Sequence, residues 1–372
     1  MTSRETTVPF VDLGLQHSRV AAEISAAIDE VISTTAFILG THVERFESEF
    51  AMYCRTEHAV GVANGTDAIE LALRAIGTVP GDDVILPANT FVATAEAVVR
   101  CGARPVLVDC AEDFLIDPTL LGPLITERTR AVIPVHLYGQ MANMEAIRSV
   151  VGPTVRIIED AAQAQGAERW GRRAGSLGDI AATSFYPGKN LGAYGDAGAV
   201  MTSSEEAADR VRALRNHGGV RKYEHCEFGM NSRLDGIQAA VLSVKLKQLD
   251  EWNQERKQAA TRYGALLGGV PAIVLPKVSA GNDHVWHLYV VRVPDRDRIL
   301  GELSEAGIAA GIHYPTPIHL LPAFGFLGHR VGDFPVAERV AAEILSLPIF
   351  PGISPDQQAI VAGQLRRAVT KI

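Results

Sequence analysis

The sequence predicts an α/β protein. A large domain carries a mostly parallel, mixed sheet flanked by helices, and a smaller α+β domain follows at the C-terminus. Three observations predict it. Short Val- and Ile-rich runs alternate with amphipathic stretches through the first two thirds of the chain, as in strands joined by crossover helices. Around Gly268–Pro276 the composition shifts to Gly and Pro, and a second strand-and-helix pattern then follows. With 372 residues the chain has room for about two domains, expected at 1–252 and 253–372.

The predicted strands are His58–Val62, Asp83–Leu86, Pro105–Val108, Ala131–Val135, Arg156–Ile158, Ile180–Phe185 and Ala199–Thr202. Between Asp160 and Ile180 the pattern lapses into Gly, Arg and Gln, which reads as an irregular connection. Ile237, Val241, Val244 and Leu249 recur at near-helical spacing and predict one long helix from about Arg233 to Tyr263. The C-terminal part reads as a strand at Val285–Val293, helices near Arg296–Ala306 and Pro335–Ser346, and a last helix from Pro355.

Lys and Arg number 35 against 43 Asp and Glu, a net charge of −8, which argues against a nucleic-acid partner. Every apolar run is broken well before about 18 residues, so no membrane span is expected. The N-terminus lacks the apolar core of a secretory signal, and a cytoplasmic protein is expected. Cys54, Cys101, Cys110 and Cys226 show no CxxC spacing and read as reduced, mostly buried thiols.

The chemistry concentrates at predicted strand ends, where ligands bind in open α/β sheets. Lys189 lies in the Gly-rich loop after one strand, among the apolar and aromatic neighbours that desolvate an amine and lower its pKa. Asp160 and Gln163 follow the strand ending at Ile158 and suit a heteroaromatic nitrogen and a phenolic oxygen, although Asp160 also reads as a helix cap. The turn Asn64-Gly65-Thr66-Asp67 opens a helix and offers free N–H groups to a phosphate, and helix capping explains it equally well. Phe91 puts an aromatic ring at another strand end, or in the core. One cofactor uses an amine, a carboxylate, a phosphate cradle and a stacking surface together: pyridoxal 5′-phosphate.

The motifs that carry these residues are GVANGTDAIELAL, LPANTFVATAEAV, VHLYGQ, IEDAAQAQGA, SFYPGKNLGAYGDAGAV, NSRLDGIQAAVL and HYPTPIH. With them the chain resembles the DegT-type sugar aminotransferases, of the aspartate-aminotransferase fold (fold type I of pyridoxal-phosphate enzymes). The resemblance implies that Lys189 joins the cofactor as an imine and later moves the substrate proton. It implies that Asp160 pairs with the pyridine nitrogen, Gln163 contacts the ring oxygen, and Phe91 stacks on the ring. Gly65, Thr66 and Ser184 would hold the phosphate, and Asn231 would reach the neighbouring subunit's phosphate in a homodimer with shared sites.

The run YPGKNLGAYGD is similar to members that aminate C3 of a sugar, whereas C4 members tend to carry Thr-Gly-Glu-Gly-Gly after the lysine. The expected reaction moves an amino group from L-glutamate to the C3 keto group of a nucleotide-linked ketohexose, dTDP-linked and 6-deoxy by preference. Tyr186, His313 and Tyr314 match sugar-pocket positions, and Arg221, Lys222, Tyr223 and His225 form a polar loop suited to a pyrophosphate. His284 and His287 find no third ligand at metal spacing, so no metal is expected. A C4 aminotransferase, a sugar dehydratase of the same family and a non-catalytic, cofactor-binding regulator stay open as alternatives. Lys189 argues against the dehydratase, whose known forms carry His at that position.

Overall fold

The computed structural model describes residues 8–221 and 223–371. Lys222 lies outside them. Three helices open the chain, α1 (Leu13–Ser18), α2 (Ala21–Thr34) and α3 (Thr41–Cys54). None of the three was predicted as an element from the sequence. Asp12 caps the first by accepting from the Leu15 N–H at 2.8 Å. The second and third end at Thr35 and Arg55 in left-handed conformation.

The alternating part then follows as β1 (His58–Val62), α4 (Gly65–Ala75), β2 (Asp83–Pro87), α5 (Val92–Arg100), β3 (Arg104–Val108), β4 (Thr129–Val132), α6 (Met144–Val151) and β5 (Arg156–Asp160). A hairpin of β6 (Glu168–Arg169) and β7 (Arg172–Arg173) occupies the stretch read as irregular, and β12 (Asn282–Asp283) adds to it. After it come β8 (Ile180–Ser184), β9 (Gly198–Thr202) and α7 (Glu205–Leu214). The main sheet has seven strands in the order β1-β9-β8-β5-β4-β2-β3. Only β9 runs against its neighbours. The carboxyl ends of β1, β2, β5 and β8 therefore point to the same side of the molecule.

Both faces of this sheet are covered, which explains its unbroken apolar runs. On β2, Val84 and Leu86 pack into one core and Ile85 into the opposite one. On β5, Ile158 and Ile157 divide the same way. That alternation leaves Asp160 on the Ile158 face and Glu159 on the Ile157 face.

The predicted long helix is two helices, α8 (Gly236–Leu246) and α9 (Leu249–Leu267). Lys247 and Gln248 at the break are good helix formers, so local preference does not cause it. The cause is packing, because α8 lies against α2 and α3 while α9 lies against α12 (Pro355–Val369). Before them β10 (Gly219–Arg221) and β11 (Glu224–His225) form a surface hairpin.

Three boundaries differ in the same spirit. The predicted strand Val285–Val293 starts only at Tyr289, as β13 (Tyr289–Arg292). Val285 and Leu288 instead donate their N–H groups to the carbonyls of Gly139 and Tyr138. The helix α10 (Arg296–Glu305) matches its prediction, but the helix expected to Ser346 stops at Glu343, as α11 (Pro335–Glu343). Ile344–Leu347 forms β14, drawn into antiparallel pairing with β13. The strand expected to Val135 ends at Val132, two residues before Pro134, which has no N–H to donate. Tyr263, Tyr289, Leu347, Phe350 and Leu365 share a separate core that also takes in Val8. Cys54, Cys101 and Cys110 are buried, and Cys226 is exposed.

Candidate active site

Phosphate-binding capacity arises where α4 begins. Asn64 Oδ1 accepts from the Asp67 N–H at 2.8 Å, and the Asn64 carbonyl accepts from Ala68. The N–H groups of Gly65 and Thr66 precede any intrahelical acceptor and remain for a ligand. A Cβ on Gly65 would lie 2.5 Å from the Ser184 Cβ. Only glycine lets the helix start approach the end of β8 this closely, and the approach brings two N–H groups beside a serine hydroxyl. A second glycine completes the fit, since a Cβ on Gly198 would lie 2.5 Å from the Asn64 carbonyl oxygen. This cradle suits a phosphate.

Lys189 follows β8 in a turn closed by its own N–H, which donates to the Tyr186 carbonyl at 2.8 Å. Burial lowers its pKa to about 8, and Asp160 opposes the fall. An amine near that value is about one tenth free base at pH 7, far more than an ordinary lysine. Its neighbour Asn190 ties the loop down: Asn190 Nδ2 donates to Asn253 Oδ1 at 2.8 Å and to the Val285 carbonyl at 3.0 Å. Asn190 Oδ1 must then accept, at 3.1 Å, from His287 Nδ1. The buried Lys245 ammonium donates to the Gly192 carbonyl and lies 4.9 Å from the Tyr194 ring centre, so it braces the far side of the loop.

Asp160, at the end of β5, accepts from Thr94 Oγ1 at 2.8 Å and from the Ala162 N–H at 3.1 Å. It does not cap a helix, which was the alternative reading. Burial raises its pKa, with the Thr94 bond the foremost opposing influence. A buried carboxyl so placed gains most from a cationic partner, and a protonated ring nitrogen is one. Gln163 Oε1 accepts from the Tyr138 N–H at 2.7 Å and its Nε2 donates to the Tyr314 hydroxyl at 3.1 Å. One Nε2 hydrogen is left for a ring oxygen. The Phe91 ring is 49% exposed and stands 5.0 Å from Tyr314, so one face is open for stacking. Cradle, amine, carboxylate, amide and ring together fit pyridoxal 5′-phosphate.

Among the residues expected to line a sugar pocket, His313 Nδ1 bonds Ser346 Oγ at 2.9 Å, and its ring stacks on Phe10. Burial, with the Lys189 charge adding to it, lowers its pKa to about 4. His313 is therefore a neutral hydrogen-bonding group at physiological pH. Burial raises the Tyr314 pKa, with the Asp160 charge adding to it, which keeps the phenol protonated. Tyr138 reaches across from the turn after β4 and donates its hydroxyl to the His313 carbonyl. Tyr186 stands exposed at the rim.

The remaining predicted residues lie elsewhere. Arg221, Tyr223 and His225 are exposed on the β10–β11 hairpin, where His225 Nδ1 bonds the His217 carbonyl at 2.9 Å. Asn231 is exposed and bridged to Asn216. Neither group shares the hydrogen bonds described around Lys189 within one chain. His284 is occupied by the Trp286 N–H, and no cluster of three metal-ligating side chains occurs among the described residues.

Sequence reasoning did not find Thr90, Thr94, Tyr138 or the His136–Glu159 pair. Glu159 is fully buried and accepts from His136 Nε2 at 2.8 Å and from the N–H groups of Gly175, Leu177 and Gly178. Burial works against its charge, yet His136 and these donors more than offset it and its pKa is lowered. Glu159→Leu is expected to destabilise the fold by about 3–5 kcal/mol, because it strands three buried N–H groups and His136. Urea denaturation checks this. A depressed folded-state pKa means that the contribution is present above the ordinary glutamate value, near 4.3, and is lost as pH falls through the lowered one.

The DegT/DnrJ/EryC1/StrS aminotransferase family model matches residues 18–366. The chain is 46% identical over 362 residues to the "Pleiotropic regulatory protein" of Geobacillus stearothermophilus, covering 96% of this chain and 97% of that protein. It is also 46% identical over 376 residues to the dTDP-3-amino-3,4,6-trideoxy-alpha-D-glucose transaminase of Streptomyces venezuelae, covering 100% of this chain and 99% of that one. Among solved structures, S. venezuelae DesV in complex with a ketimine intermediate superposes with a TM-score of 0.96 at 47% identity, covering 98% and 99% of the two chains.

Proposed function

The chain belongs to the DegT/DnrJ/EryC1/StrS aminotransferase family, whose cofactor is pyridoxal 5′-phosphate, and on that premise we propose that it aminates a nucleotide-linked ketosugar at C3, with L-glutamate as donor. The preferred acceptor is a dTDP-linked 6-deoxy-3-ketohexose. The observation that carries the reading is Lys189, an amine whose pKa burial lowers and whose charge acts on both Asp160 and His313, in a chain 46% identical end to end to a C3 sugar transaminase.

When bound, the cofactor supplies an electron sink for the charge left as a C–H bond breaks beside the amino group. Gly65, Thr66 and Ser184 receive its phosphate, and Phe91 covers one ring face. Asp160 would hold a proton on the ring nitrogen by its charge, and Gln163 would donate to the ring oxygen. Lys189 Nζ would hold the cofactor at its carbonyl carbon, with water as the leaving group, and once the amino donor has taken its place would accept the proton from the donor's α-carbon and return it to the adjoining position. In the second half of the cycle the same nitrogen moves a proton back toward the sugar carbon. His313, neutral and fixed by Ser346, hydrogen-bonds the sugar, as do Tyr314 and Tyr186. Arg221, Tyr223 and His225 approach the nucleotide diphosphate.

The homodimer belongs to the same proposal. Asn231, exposed within one chain, contributes to the cofactor site of its partner across a two-fold interface. Light scattering is expected to give twice the chain mass or a multiple. Mixing the Lys189→Ala and Asn231→Ala variants, each inactive alone, is expected to restore part of the activity, because a mixed dimer assembles one intact site. A fully active monomer would refute it. A cytoplasmic location is part of the same proposal, and no helix among the described residues is long and apolar enough to cross a membrane.

The test is a panel of nucleotide 3- and 4-ketosugars offered to the glutamate-loaded protein, with the amine position read by NMR. Amination at C3 is the expected result, and amination at C4 alone would replace the substrate reading. The relative named a pleiotropic regulatory protein favours a second reading, a cofactor-binding regulator. Cofactor absorbance that glutamate leaves unchanged would support that one.

A further inference from the structure

We propose that Thr94, backed by Thr90, is a positioning residue for Asp160, forming a relay of two hydroxyls that keeps the carboxylate anionic and correctly turned. The inference rests on the reading of Asp160 as the partner of the cofactor's ring nitrogen. Thr90 and Thr94 are 2% and 1% exposed, so their hydroxyls are shielded from bulk solvent. Thr94 Oγ1 stands 2.8 Å from Asp160 Oδ2 and 2.9 Å from Thr90 Oγ1. A hydroxyl has one proton. Thr94 gives it to the carboxylate, so Thr94 accepts from Thr90 and the chain of donors runs one way, toward Asp160. Successive hydrogen bonds of one direction polarise each other.

The relay also fixes orientation. Asp160 Oδ1 receives the Ala162 N–H at 3.1 Å while Oδ2 receives Thr94, so each oxygen has one built-in donor and keeps acceptor capacity for a ligand. Thr94 sits in the first turn of α5, where its N–H donates to the carbonyl of Phe91, the residue that precedes the helix. A single helical turn thus carries both the ring expected to stack on the cofactor and the hydroxyl that turns its carboxylate. The charged and titratable groups facing Asp160 are Lys189, His136 and Tyr314. Burial pushes the carboxyl up, and Thr94 comes first among the influences that pull it back, ahead of Ala162, Lys189 and His136.

Thr94→Val keeps the shape and removes the hydroxyl, whereas Thr94→Ser keeps the hydroxyl. Two readouts are taken on the full chain, with Asp160→Asn run alongside. One is equilibrium binding of pyridoxal 5′-phosphate followed by fluorescence across pH, and the other is the half-reaction with glutamate. Thr94→Val is expected to bind the cofactor about 10-fold more weakly and to lose about 10- to 100-fold in kcat, the scale of one hydrogen bond to a buried charge. KM for glutamate is expected to stay near its original value. The acid edge of cofactor binding moves to higher pH, because a carboxylate without its donor protonates sooner. Thr94→Ser restores most of each effect, and Thr90→Val produces a smaller loss in the same direction. Thr94→Val at full rate and affinity beside a crippled Asp160→Asn would overturn the relay alone. A loss that Ser fails to rescue would also overturn it, by making Thr94 a packing residue. Asp160→Asn at normal rate would overturn the reading of Asp160 and the relay with it.

Discussion

Lys189→Ala is expected to lower turnover by about 10⁴-fold or more, since in the proposed mechanism it deletes both the amine that binds the cofactor and the base that moves the proton. The fold is expected to survive. Lys189 lies in a loop only partly buried, and the described hydrogen bonds that hold this loop come from the Lys189 backbone N–H, Asn190 and Lys245. Far-UV circular dichroism and the thermal midpoint check the fold, and single-turnover kinetics with glutamate check the chemistry. Undiminished turnover in this variant would sink the mechanism. Lys189→Arg is the sharper companion, because it keeps a positive charge near Asp160 yet offers no free amine at neutral pH.

Asp160→Asn is expected to cost about 10²- to 10³-fold in the rate of the glutamate half-reaction, comparable to removing one preorganised charge-stabilising group from an active site. The amide has nearly the shape of the carboxyl and can still accept from Thr94 or Ala162. What it lacks is the negative charge that, in the proposed mechanism, holds a proton on the ring nitrogen. Cofactor is expected to stay bound through the cradle at Gly65, Thr66 and Ser184. Stopped-flow absorbance separates the two effects, with the rate falling sharply and binding falling less. A normal rate would leave Asp160 with a structural role only.

How far the site was legible follows from sequence distance. Asp160 and Ser184 end strands, and Gln163 and Lys189 follow them within five residues, so the Val, Ile and Ala content that announces each strand also announces the candidate site residue. The same holds for Gly65 and Thr66, where an N-cap asparagine marks the helix start. The hydroxyl pair Thr90 and Thr94 was not legible, because its partner Asp160 is 66 residues beyond Thr94 and no local pattern links them. Tyr138 was missed for a similar reason, since its reach to His313 spans 175 residues.

The sequence by itself determined the class of the fold, the position of nearly every main-sheet strand and the loop that carries Lys189. These depend on backbone preference and on the period of apolar residues, and both act over a few neighbours. Only the tertiary structure decided where the helix predicted from Arg233 to Tyr263 breaks and that Ile344–Leu347 is a strand. In each case a packing surface outweighed local preferences worth a fraction of a kcal/mol per residue. It alone decided the convergence as well. Six parallel strands and one antiparallel neighbour bring the ends of β1, β2, β5 and β8 to one side. Residues between 65 and 314 then share one cluster, because burial couples charges and hydrogen bonds across any sequence distance once water is excluded.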